Sequence, residues 1–156
     1  MQKILLVFLS AFLLTGCVSS FENQMNSLNK DLKNSKSPTR FVKVASNDKY
    51  DKYSQEWAGT PGESVAFSSK ILTDDIFNTI EKHCGLKRED LVETRVVSHK
   101  FPEFYEVWVF KDKLSKRNDG LSGLTVFMKQ LPNNQGTDFL VTDTCHSSQM
   151  TYTFGK

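Results

Sequence analysis

Charge of one sign is not in excess here: 20 Lys and Arg against 18 Asp and Glu leave a formal net charge of +2 over 156 residues. A nucleic-acid binder needs a concentrated basic surface for its phosphate contacts, and this balance argues against one. Long apolar runs are scarce as well. The chief one, residues 4–14, has 11 residues, whereas a helix needs about 20 to span a bilayer. Phosphate-cradling glycine loops, the dinucleotide fingerprint and the His-Glu-x-x-His zinc motif are all missing. The nearest approaches to a Gly-x-Ser-x-Gly elbow fail in different ways. Gly62-Glu63-Ser64-Val65-Ala66 lacks the second glycine, and Gly120-Leu121-Ser122-Gly123 has the wrong spacing. The three histidines, His83, His99 and His146, are too common a feature to signal a triad without geometry. Asp74 and Asp75 read as helix-start carboxylates, and Glu103 and Glu106 as solvated residues beside a hairpin. No catalytic residue, cofactor or metal is therefore assigned. Cysteine is sparse and odd in number, three in all, so one needs a role outside pairing. What the chain does have is large apolar surface, 12 Phe and 2 Trp, enough for the core of a single domain.

The N-terminus accounts for the odd cysteine. Lys3 precedes the apolar run, which closes on Thr15-Gly16 before Cys17. A short apolar stretch behind a positive start, ending on small residues, has the layout of a cleavable export signal. Leu14-Thr15-Gly16-Cys17 resembles the lipobox of bacterial lipoproteins. That resemblance implies that residues 1–16 are removed and that the Cys17 thiol receives a diacylglycerol, with acylation of the new amine. Several chains, at about 0.8 kcal/mol per buried methylene, make release from a bilayer very slow. In Gram-negative members of that class an Asp after the cysteine retains the protein at the inner membrane. Val18 stands there instead, which implies the outer membrane, with the domain facing the periplasm or the cell surface.

Residues 17–39 form the next unit, the lipidated Cys17 and a flexible tether. Ser, Asn and Lys predominate up to Pro38, a composition that cannot bury enough surface to offset chain entropy. Phe21, Met25, Leu28 and Leu32 do share one helical face, but a helix this short is marginal alone and should be transient or partner-dependent.

Residues 40–156 read as one α+β domain: an antiparallel β-meander of about four to six strands with one α-helix packed on one face. Residues 41–45 suit a first strand, and residues 46–63 a loop with turn signals at Asn47-Asp48 and Thr60-Pro61-Gly62. Residues 74–84 are predicted helical, with Thr73 as N-cap, Ile76, Ile80 and Cys84 on one face, and Gly85 as a left-handed C-cap. Residues 91–98, 104–110, 124–128 and 139–141 follow as strands joined by short reversals, and Met150, Tyr152 and Phe154 alternate at the end.

With Cys17 acylated, Cys84 and Cys145 remain, and in an oxidising compartment such a pair is expected to cross-link. His83 and His146 flank them, which completes a zinc-type ligand set. Neighbouring residues on one element point in different directions, so the disulfide is the favoured reading. Lys111, Lys113, Lys116 and Arg117 cluster at a strand end and suit a soluble loop. Tyr50, Tyr53 and Trp57, set among charges in the expected loop, are the candidate interface, because exposed aromatics anchor binding. Together these features point to an outer-membrane-anchored lipoprotein presenting a non-catalytic binding or assembly domain to an envelope protein partner, with no nucleic acid involved. The alternatives are a small envelope hydrolase acting on cell-wall or lipid substrates, and an inhibitor or exclusion factor.

Overall fold

The strand at residues 103–111 is buried on both faces from Glu106 to Phe110. Phe104, Glu106, Trp108 and Phe110 share one face of that strand, and a helix lies across it. The computed structural model describes residues 21–142 and 144–156; the expected signal segment and Cys17 lie outside the described residues. In chain order the elements are α1 (Phe21–Asn34), β1 (Thr39–Ser46), β2 (Tyr50–Trp57), β3 (Thr60–Pro61), α2 (Lys70–Cys84), β4 (Leu91–Lys100), β5 (Glu103–Lys111), β6 (Leu121–Gln130), β7 (Thr137–Thr142) and β8 (Thr151–Gly155).

All strand pairs are antiparallel, in two sheets: five strands in the order β3-β4-β5-β6-β7, and three in the order β1-β2-β8. The α+β fold of antiparallel strands with a helix on one face is thus the fold observed. Ile76, Phe77 and Ile80 of α2 meet Trp108 and Phe110 of β5 and Leu124, Val126 and Met128 of β6 in one core cluster. Burying a large apolar side chain of this kind contributes about 1.5–3 kcal/mol.

Four local readings change. First, α2 begins a turn earlier than residue 74. Ser69 Oγ accepts from Leu72 N–H and caps the helix, while Thr73 Oγ1 donates to the Ala66 carbonyl at 2.7 Å. Gly85 does adopt the left-handed conformation, φ 68°, at the C-cap. Second, residues 46–63 are not a loop. Asn47 Oδ1 accepts from Lys49 N–H and Tyr50 N–H, and this tight turn folds β2 back onto β1. Third, the last strand leaves the meander and pairs with β2, Tyr53 opposite Tyr152.

Fourth, residues 21–34 are a docked helix rather than a mobile tether. Phe21 stacks on Phe154 with centroids 3.7 Å apart and meets Tyr53 edge-on at 5.6 Å. Met25 is buried. The Asn29 amide clasps the Phe41 backbone in both directions at 2.8 Å. A face of four apolar residues cannot hold an isolated helix, but it suffices against a sheet that supplies aromatic partners.

Candidate functional site

The two sheets meet at a cleft of about 580 Å³. Its walls include Pro38, Thr39, Glu56, Trp57, Arg117 and Met150. Gly123 of β6 lets Trp57 in. A Cβ there would stand 2.3 Å from the indole Nε1, so only glycine permits this approach. The Arg117 guanidinium lies over the Trp57 ring, 4.3 Å from its centroid, and donates to Glu56 Oε2 and Asp119 Oδ2 at 2.8 Å each. Burial opposes the charge on Arg117, but its bonds to Asp119 and Glu56 outweigh that and raise its pKa. Burial likewise opposes ionisation of Glu56, yet hydrogen bonds from Ser54 and Arg117 hold its pKa below the usual glutamate value. The charges are thus spent on one another, and Trp57 lines the cleft with its ring held by Arg117 and Gly123. Such a surface suits an aromatic or apolar side chain of a partner with backbone groups beside it.

A second cleft, about 440 Å³, lies at the end of α2, where Cys84, Lys87, Lys111, Asp112, Lys113 and His146 are among its walls. Cys84 and Cys145 form a disulfide here. His146 Nδ1 lies 2.9 Å from Asp112 Oδ2, which also accepts from Ser122 Oγ at 2.6 Å. Burial opposes the Asp112 charge, but the bonds from Ser122, His146 and the Leu114 N–H depress its pKa. His83 faces a different hollow, beside Asp75 and Phe139, so the two histidines and two cysteines do not converge. Among the described residues no group of three or more His, Cys, Asp or Glu side chains could hold a metal ion.

A third polar cluster sits within the core. Glu106, read from sequence as solvated, is 0% exposed. It accepts from Val65 N–H at 3.0 Å and Trp108 Nε1 at 2.8 Å, and lies 2.8 Å from His99 Nε2. Glu106 shares strand parity with Phe104, Trp108 and Phe110, so the sheet turns it inward with them.

The three candidate interface aromatics part company. Tyr53 is only 3% exposed and belongs to the packing under α1; among the described residues its buried hydroxyl has no hydrogen-bond partner. Tyr50, 37% exposed, and Trp57 stand at opposite ends of β2. Only Trp57 belongs to the cleft. Arg117, grouped by sequence with loop lysines, is 8% exposed and structural. Sequence reading missed the Glu56–Arg117–Asp119 cluster; with the strand read from 124, Gly123 fell outside it, and a strand extended to 121 would have made that glycine a signal of close approach. No helix among the described residues is long and apolar enough to cross a membrane. Compared with protein-family models, curated proteins and solved structures, the chain matches none.

Proposed function

We propose that this protein is an outer-membrane-anchored lipoprotein whose domain is a non-catalytic binding or assembly module facing the periplasm. The observation that carries the reading is Leu14-Thr15-Gly16-Cys17 directly behind a short apolar run. The Cys84–Cys145 disulfide supports it, since paired cysteines persist in oxidising compartments. The inter-sheet cleft is the proposed partner site, with Trp57 as its anchor. In cells fed an alkynyl palmitate, the wild-type chain should label and Cys17→Ala should not; an unlabelled wild type overturns the anchor. A photo-crosslinker at Met150, which lines the cleft, should capture a discrete envelope protein. The same set of neighbours from Met150 and from the exposed Leu140 would overturn the partner site.

One observation favours a second reading, the small envelope hydrolase. His146 lines the second cleft and meets Asp112 through Nδ1, which leaves Nε2 as the nitrogen to take a proton from water. Among the described residues no hydroxyl or thiol is hydrogen-bonded to that nitrogen, so the reading lacks a nucleophile. Cell-wall fragments or phospholipids hydrolysed by the wild type but not by His146→Ala would favour it over the binding module.

A further inference from the structure

We infer that the domain rests on its bilayer through the end formed by residues 47–50 and Lys156, and holds the inter-sheet cleft away from the lipid. The inference rests on acylation at Cys17. Four Cα steps separate Cys17 from Phe21, and at about 3.8 Å each they cannot exceed about 15 Å. Phe21 is fixed to the domain by its stacking on Phe154. Phe154 is the register partner of Asp51, and Lys156 N–H donates to the Lys49 carbonyl at 3.1 Å. Neighbouring Glu22 pairs with Lys43 at 2.8 Å. The start of α1, the β1–β2 turn and Lys156 therefore share one end of the three-stranded sheet.

From that end α1 leads away. Its 14 residues span about 20 Å, with Asn29 held at Phe41 and, just past the helix, Lys36 held at Glu103. Along β1 the same direction runs from Ser46 to Thr39, whose register partner is Trp57. The cleft is thus at the far end of an eight-residue strand, about 25 Å from the turn. A leash shorter than the sheet keeps the near end close to the membrane.

What the near end exposes suits a headgroup layer. Tyr50 offers an amphipathic ring, and Lys49 is exposed beside the equally exposed Asp48. The Lys156 side chain is 44% exposed, and its ammonium bridges Ser46, Asn47 and Asp51. The exposed Lys49 can approach lipid phosphates.

The test uses the acylated full chain in vesicles of phosphatidylethanolamine and phosphatidylglycerol, with a benzophenone amino acid at Tyr50 or at Phe101. Phe101 is 72% exposed and lies beside the distal Lys36–Glu103 contact. Because the two positions are about 20 Å or more apart along α1, lipid adducts at Tyr50 should exceed those at Phe101 by at least about tenfold. A long Gly-Ser insert between Cys17 and Phe21 should erase that difference. Acylation is read on the same sample by intact mass. Acylated protein with equal adducts, or more at Phe101, overturns the orientation alone; protein without acyl chains overturns the anchor and the orientation with it.

Discussion

Replacing Glu106 by Gln tests whether the core is built around a carboxylate that only accepts. Oε1 lies 3.0 Å from Val65 N and 2.8 Å from His99 Nε2, and Oε2 takes Trp108 Nε1 at 2.8 Å. A glutamine has one acceptor oxygen. If that oxygen takes the Oε1 position, its NH2 opposes the indole N–H, donor against donor; if it flips, the NH2 opposes the Val65 N–H instead. Glu106 has no solvent exposure, so water cannot rescue either arrangement. Each buried unpaired group costs about 1–3 kcal/mol, so Glu106→Gln should destabilise by about 2–5 kcal/mol. With a urea slope of about 1–3 kcal/mol/M, the midpoint should fall by about 0.7 M or more. Far-UV circular dichroism is the suitable probe, because the same measurement serves Trp108→Phe, which removes the opposing donor. In that background the Gln substitution should cost about 1–2 kcal/mol less. A loss under about 0.5 kcal/mol in Glu106→Gln, or strict additivity in the double variant, would refute the donor-only environment.

Three further outcomes are expected. Removing the disulfide with Cys84→Ser and Cys145→Ser frees a 61-residue separation and should cost roughly 4 kcal/mol in urea unfolding; reduction of the wild type should give a matching loss. Gly123→Ala drives a methyl to 2.3 Å from Trp57 Nε1, which should cost about 1–3 kcal/mol and shift the indole emission; unchanged emission would show that Trp57 does not depend on that contact. Glu56, Asp112 and Asp119 carry pKa values below their ordinary 4.5, 3.8 and 3.8. A depressed carboxyl contributes stability that is complete above its unfolded value and lost as pH falls through the folded one, so stability should be level down to about pH 5 and decline below it. Asp112→Asn should make that decline shallower, and an identical pH profile would remove Asp112 from the account.

Much of the architecture was readable locally, because caps, turn residues and alternation act over a few positions. Gly85 and Asn47 are examples, and so is the strand parity that should have sent Glu106 inward. What escaped reading was nonlocal. The buried positions of β2 include Asp51, Tyr53 and Ser54, polar enough to hide a strand from any hydrophobic pattern. The partner of β8 is chosen by aromatic packing against Phe21 and Tyr53, more than 90 residues upstream, and no local signal carries that choice. α1 fails on composition and succeeds only because a sheet waits for it. The Cys84–Cys145 pairing was accessible by elimination once position 17 was set aside. The clefts required folding, since Trp57, Arg117 and Gly123 meet only when two sheets are brought together.

The clasp between Asn29 and Phe41 carries a practical lesson for anyone preparing this protein. A gene trimmed to start at Arg40, where the polarity of the chain invites the cut, would bare Tyr53 and Phe154 and leave the first strand's backbone unanswered at Phe41. Material made that way should be sticky and short-lived. A version opening at or before Phe21 keeps the lid on its own jar.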